Sequence, residues 1–222
     1  MVRKATKIEI EGTDGAGKTT GLGYLIEKLK SAGKTVLETR EVGNPNVPTC
    51  VKLRQLVLDP DSNLTGEAME MIFSAMRFEN DKWLRSVEKT ADYVVSDRGW
   101  FSHLAYTDHN VSDGFTRDLY LSMMDKYTSL PDVVIYFKVN TETALQRRVK
   151  RGIGMDVIEM KGIGYQELVR TSFDKYLAHY DKTVQVYEVD ANDTIEGVRA
   201  QIDSIVSKLI AEAKLREILR HG

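Results

Sequence analysis

The chain holds a single cysteine, Cys50, among 222 residues. No internal disulfide can form, cysteine-rich zinc chemistry is excluded, and the usage suits a reducing compartment. Neither sign of charge prevails: 31 basic against 33 acidic residues leave a formal net charge of −2. That balance gives no general attraction to nucleic acid or to an anionic membrane, so any phosphate binding must come from locally clustered cations. No stretch approaches the apolar length of a membrane span. Residues 1–20 carry charges and a glycine motif where a secretory signal needs a continuous apolar core. The expectation is a cytoplasmic protein with neither nucleic acid nor membrane as a partner. Internal repeats and low-complexity segments are absent too. What remains, 42% hydrophobic and 29% charged residues, is enough to bury a full core in one domain, residues 1–222, with a mobile insertion.

The strongest positive signal is Gly12-Thr13-Asp14-Gly15-Ala16-Gly17-Lys18-Thr19, followed by Thr20. It has the spacing of a triphosphate cradle: glycine, four residues, then Gly-Lys-Thr. The alternating Lys7-Ile8-Glu9-Ile10-Glu11 before it reads as a strand. Leu22, Leu25, Ile26 and Leu29 after it fall on one face of a helix. Glycines there let backbone N–H groups approach a phosphate, and the new helix turns its positive end toward that anion. Lys18 is then placed to reach the β- and γ-phosphates and Thr19 to ligate Mg²⁺. The bland alternative is a tight glycine turn that binds nothing.

Further along, strands and helices alternate. Lys34–Thr39 reads as a second strand, with Gly33 as the cap of the preceding helix, and Arg40 leaves its carboxyl end, where ligands bind in an open α/β sheet. A solvated loop arginine is the plain alternative. A helix is expected over residues 51–58 and a long one after Thr65. In the long helix Phe73 and Arg77 share a face, suited either to sandwich and hydrogen-bond a nucleobase or to serve as a core phenylalanine and a surface arginine. Asp92–Ser96 reads as a buried strand ending on Asp97-Arg98, an acid able to hold the hydration shell of Mg²⁺ and a cation able to neutralise phosphate, or else a surface ion pair.

Ser102, Ala105 and Tyr106 face one side of the next helix. A polar loop over 107–114, a helix over 116–127 and a strand over 133–137 follow. Arg147, Arg148, Lys150 and Arg151 end the next helix as either a solvated face or an anion clamp. With Gly152, Gly154, Gly162 and Gly164 as hinges they suggest a lid over about 147–164. A helix over 165–180, a last strand over 184–189 and an amphipathic helix from Thr194 complete a doubly wound, mostly parallel five-stranded sheet of the P-loop type, flanked by helices.

Taken in order, Glu11–Thr20, Thr39-Arg40-Glu41 with Gly43, Phe73-Ser74-Ala75-Met76-Arg77, Asp97-Arg98 with Ser102, Ala105 and Tyr106, the arginine-rich segment and Val189-Asp190-Ala191 resemble the thymidylate kinases. The resemblance spans nearly the whole chain. It implies a nucleoside monophosphate kinase fold, transfer of phosphate from ATP to dTMP with Mg²⁺, and a homodimer. It further implies that Arg40 binds the acceptor phosphate, Phe73 stacks on the base and Arg77 bonds a base carbonyl. Ser102 and Tyr106 would line the acceptor pocket. Asp14 would sit between deoxyribose and metal, Asp97 at the metal and Arg98 at the phosphates.

Because Gly15 follows Asp14, the chain resembles those members that take catalytic arginines from the lid, with Arg151 and Arg147 or Arg148 as candidates. Three positions depart from the family: Val42 replaces a proline, Gly99 replaces an aromatic or histidine and opens space by the base, and Val157 replaces a lid arginine. Two rival readings are a kinase of another deoxynucleotide or deoxynucleoside, and a nucleotide-dependent switch or binding module.

Overall fold

The computed structural model describes residues 5–111, 113–127, 130–151 and 162–221. Five parallel strands form one sheet: β1 (Thr6–Glu11), β2 (Val36–Arg40), β3 (Tyr93–Asp97), β4 (Val133–Lys138) and β5 (Gln185–Asp190), in the order β2-β3-β1-β4-β5. The inner strands β3 and β4 are continuous apolar runs because helices cover both of their faces. Val94, Val95 and Val133 to Phe137 are all buried.

Eight α-helices are found among the described residues: α1 (Lys18–Ser31), α2 (Pro48–Leu58), α3 (Gly66–Val87), α4 (Trp100–Asn110), α5 (Gly114–Tyr127), α6 (Thr141–Arg151), α7 (Gly162–Tyr180) and α8 (Ile195–His221). On one face Leu22, Leu25 and Leu29 of α1 pack with Ile202, Ile205 and Leu209 of α8 against Ile8, Ile10 and Ile135. On the other, Trp100, Phe101 and Leu104 of α4 meet Val169, Phe173 and Leu177 of α7. A smaller cluster joins Cys50 and Val57 of α2 to Met69, Phe73 and Met76 of α3. Each such side chain contributes about 1.5–3 kcal/mol on burial.

Strand register decides where the functional residues meet. Ile10 and Arg40 both pair with Asp97, and Glu11 pairs with Tyr136. The carboxyl ends of β1, β2 and β3 therefore sit side by side. The sheet order reverses at β1, whose neighbours β3 and β4 lie on opposite sides, and at such a point an open α/β sheet leaves a crevice.

Expected boundaries shift for local reasons. Residues 107–110 extend α4 instead of forming a loop. Thr107 and Asn110 turn inward to donate to the Glu70 carboxylate on α3, at 2.9 and 2.7 Å. The helix expected to begin at Val51 starts at Pro48, a favourable first-turn residue. α1 ends in a Schellman closure, with Lys34 N–H on the Leu29 carbonyl at 3.1 Å and Gly33 N–H on that of Lys30 at 2.9 Å. The Thr65 hydroxyl caps α3 by accepting from the Ala68 N–H at 3.2 Å. Gly162-Ile163-Gly164, expected as a hinge, forms the first turn of α7. Ile195, expected on the buried face of α8, is exposed at its start. Of the expected lid, 147–151 is the last turn of α6, and 152–161 lies outside the described residues.

Candidate active site

The loop between β1 and α1 is shaped by what its glycines avoid. A Cβ on Gly15, whose φ is +88°, would lie 2.4 Å from the Ala144 carbonyl oxygen at the start of α6. Gly17 caps α1 at φ +86°, a left-handed conformation that L side chains rarely adopt. Main chain is thereby left bare at the positive end of α1. Lys18 is the first residue of that helix, and its Nζ folds back to donate to the Thr13 carbonyl at 2.8 Å. Burial and the neighbouring Arg98 charge bring its ammonium down to about 8.

Arg98 holds this loop to the end of β3. Its Nη1 donates to the Gly12 carbonyl at 3.0 Å and to Ser102 Oγ at 2.9 Å, and its Nη2 pairs with Asp14. The residue sits at φ +67°, a left-handed conformation that costs an arginine roughly 1–2 kcal/mol. Three guanidinium bonds, together with the Ser96 hydroxyl on the Arg98 carbonyl at 2.6 Å, keep it there. Burial alone would raise the Asp14 carboxyl, but Arg98 and Lys18 outweigh it and bring the group to about 2. The other Asp14 oxygen accepts from Tyr106 OH at 3.3 Å.

Ser102 is more tightly engaged than a pocket-lining hydroxyl. Its N–H donates to Glu11 at 2.9 Å and its Oγ donates to the same carboxylate, so it orients Arg98 from β1. Burial raises the Glu11 carboxyl. Glu9, one register step back on the same face of β1, is pushed well above the usual range by burial and by the charges of Glu11 and Glu41. Its carboxyl accepts from the Trp100 N–H at 3.0 Å and fills the space beside Gly99, where an added Cβ would lie 2.0 Å from it. The expected opening at Gly99 is therefore occupied by this chain's own acid.

A cavity of about 650 Å³ opens above the carboxyl ends of the strands. The loop between β1 and α1 lines it through Asp14, Gly15, Gly17, Lys18, Thr19 and Thr20. Arg40, Phe73, Arg77, Asp97, Arg98, Ser102 and Tyr106 line it as well. Arg147 and Arg148 complete the wall from α6. Arg40 is half exposed, with its Nε 3.5 Å from Asp97. Arg77 is not the surface residue of the plain reading: its side chain is 3% exposed and its Nε donates to Glu41 at 2.7 Å. Asn80 donates to the other Glu41 oxygen at 2.9 Å.

Arg148 is also buried, and neither its Nε nor its Nη1 has a hydrogen-bond partner among the described residues. Arg151 ends α6, and its side chain lies outside the described residues. Gly12, Thr13 and Ala16 shape this loop without lining the cavity. Sequence reasoning missed Glu70 and His103, which do line it. An acid and an imidazole on separate helices, 33 positions apart, give no local pattern that pairs them.

The pattern that defines the family described as Thymidylate kinase matches residues 10–202. The chain belongs to the thymidylate kinase family. Two relatives show how evenly the likeness to the family runs. The thymidylate kinase of Ectopseudomonas mendocina is 31% identical over 206 residues, covering 91% of this chain and 95% of the relative. That of Bordetella pertussis is 29% identical over 213 residues, covering 96% of this chain and 100% of the relative. Among solved structures, deoxyadenosine kinase from M. mycoides, with dCMP and a flexible dCDP bound as products, has a TM-score of 0.66 at 24% identity. It covers 93% of this chain and 100% of that one, and at that identity it shows a shared fold. The family's members are phosphotransferases of the nucleoside monophosphate kinase type.

Proposed function

We propose that this chain transfers the γ-phosphoryl group of ATP to dTMP, giving dTDP and ADP. One observation supports the reading: the glycine loop with Lys18, and Arg40, Phe73, Arg77 and Arg98, all line a single cavity. An oxygen of the dTMP phosphate attacks the γ-phosphorus in line. The bond to the β–γ bridging oxygen breaks, and its electrons leave on ADP. The attacking phosphate is already ionised, so the work is to hold two polyanions together and balance the charge that spreads over the transferred group.

Lys18 supplies a cation to the β- and γ-oxygens once it leaves the Thr13 carbonyl. Arg98, fixed by Asp14 and Ser102, stands at the junction. We assign the transition-state cation to Arg148, whose buried guanidinium has donors without partners among the described residues. Arg40 binds the acceptor phosphate; an acceptor without one leaves this cation paired with Asp97 at 3.5 Å. Residues 1–222 act as one kinase domain with a lid over about 147–164, which closes over both nucleotides and excludes water.

Among the described residues no group of three or more His, Cys, Asp or Glu side chains could hold a metal on its own. Mg²⁺ needs less from the protein, since it keeps water and substrate phosphate oxygens as ligands. The Thr19 hydroxyl and the Asp97 carboxylate fit that habit and are the residues that would hold it. When bound, Mg²⁺ neutralises phosphate charge. The family likeness further supports a homodimer working in the cytoplasm, and no helix among the described residues is long and apolar enough to cross a membrane.

A coupled ADP assay with dTMP, dUMP, dGMP and thymidine, run with and without Mg²⁺, tests the reading. ADP formation that depends on dTMP and Mg²⁺ and is absent with thymidine supports it. Equal turnover of thymidine, or ADP release without any acceptor, defeats it.

A further inference from the structure

The turn that carries Arg98 from β3 into α4 has no cap of its own. Gly99 stands just before the helix and has no side chain to accept the free N–H groups of its first turn. Two acids of β1 take two of them instead. Glu9 accepts from the Trp100 N–H at 3.0 Å and Glu11 from the Ser102 N–H at 2.9 Å. Two residues apart on one strand, both side chains point to the same face. The same strand takes the Arg98 N–H on its Ile10 carbonyl at 3.0 Å. Arg98, in its left-handed conformation, is therefore held by β1 twice: at its own N–H and, two residues on, at that of Trp100.

The second hold depends on position 99 being glycine. A Cβ built there would overlap the carboxyl carbon and both oxygens of Glu9. The backbone sets no such limit, because at φ −176° it is extended and suits any residue. What an added methyl group has to displace is the end of a flexible side chain and not main chain. The charges that face Glu9 are Glu11 on its own strand, Glu41 after β2 and Arg77 on α3. Burial and the two acids favour its neutral form. Glu9 thus gives the turn an acceptor and a shape more than a charge.

We propose that Glu9 is a positioning residue for phosphoryl transfer: seated beside Gly99 on the Trp100 N–H, it fixes the turn that presents Arg98 to the phosphates. This rests on the functional reading given above and adds to it what holds the main chain of that arginine. Asp14 and Ser102 hold the guanidinium, whereas Glu9 holds the backbone from which it extends. With the seat empty, the Trp100 N–H loses its partner and the turn is free to shift. A displacement of about 1 Å can cost about a hundredfold in rate even when the change lies far from the chemistry.

The experiment measures kcat, KM for ATP and for dTMP, and Tm for wild type, Glu9→Gln, Glu9→Ala, Gly99→Ala and the double variant Glu9→Ala/Gly99→Ala. Glu9→Ala empties the seat and Gly99→Ala pushes the carboxyl out of it. Each is expected to lower kcat by about ten- to a hundredfold, with both KM values within a few-fold of wild type. The double variant falls no further than the slower single one, because either change alone breaks the same contact. Glu9→Gln, neutral and still an acceptor of the same shape, keeps kcat within a few-fold of wild type.

A merely structural Glu9 would lower Tm and leave kcat untouched well below the melting range, and that result overturns the proposal. So does a glutamine variant as slow as the alanine one, full kcat in Gly99→Ala, or a double variant whose loss is the product of the two single losses. Should Glu9→Ala fail to fold, Gly99→Ala and Glu9→Gln carry the test. A wild type without ADP formation that depends on dTMP defeats the functional reading itself, whereas an active wild type with both alanine variants at full kcat defeats only this inference.

Discussion

Lys18 is expected to weaken the fold it serves. Its side chain is 9% exposed, and burial together with Arg98 takes its ammonium from 10.5 to about 8. At pH 7 the residue is charged in both states, and holding that charge inside costs about 3 kcal/mol at 1.36 kcal/mol per pKa unit. Replacing it by methionine removes this cost and also the Nζ bond to the Thr13 carbonyl, worth about 1 kcal/mol. Lys18→Met should therefore be about 2 kcal/mol more stable than wild type at pH 7, raising Tm by roughly 4–8 °C in a chain of this size.

The sign of the pH dependence follows from linkage. Between pH 8 and 10.5 the unfolded chain binds more protons at this site than the folded one, so wild type gains stability as pH rises through that window. The advantage of Lys18→Met is full below pH 8, has shrunk by about half at pH 9, and is gone above 10.5. Urea unfolding of both proteins at pH 7 and pH 9, read by circular dichroism, gives the comparison. A methionine variant less stable than wild type at pH 7, or a gap identical at the two pH values, would refute the reasoning.

The same titration bears on nucleotide binding. If only charged Lys18 engages the triphosphate, the apparent Kd for ATP should weaken about tenfold from pH 7 to pH 9, and binding at pH 9 should take up nearly one proton. Calorimetry in buffers of different ionisation enthalpy reads both, and a flat Kd sinks the assignment. Arg148→Met should lower kcat by about a thousandfold or more, the scale of a lost arginine finger, without loss of Tm, because two guanidinium nitrogens have no partner among the described residues to lose. Steady-state kinetics beside a melting curve check it, and full turnover would move the role elsewhere on α6. Gly15→Ala should abolish detectable ATP binding and lower Tm, since its Cβ meets the Ala144 carbonyl at 2.4 Å. A variant that binds ATP normally by calorimetry would show the loop to be more yielding than its geometry.

The fold was legible where one residue pattern has one physical solution. The alternation in β1, the unbroken apolar runs of β3 and β4, and the three- and four-residue steps of α1, α3 and α8 each demand burial on particular faces. That the sheet is parallel followed from strands joined by helices; its strand order was not read. The strand–loop–helix shape around Gly12 to Thr19 was legible because glycines at those spacings have few other uses. Less could be read where a residue's meaning depends on a partner far along the chain. Phe73 and Arg77 share a helical face by spacing, but that Arg77 is buried follows from Glu41, 36 positions earlier. Gly99 looked like an opening because nothing in the sequence says that Glu9 fills it. Thr107 to Asn110 read as a polar loop because their polar groups were assigned to solvent, whereas Glu70 receives two of them inside. His103 carried no signal at all.

The central claim is that one cavity brings a donor triphosphate and an acceptor monophosphate end to end. Incubating the chain with γ-labelled ATP, dTMP and Mg²⁺ and separating the products tests it directly. The account expects the label in the β-phosphate of dTDP, in step with ADP and only when dTMP is present. Label recovered as inorganic phosphate at the same rate with or without dTMP would contradict it.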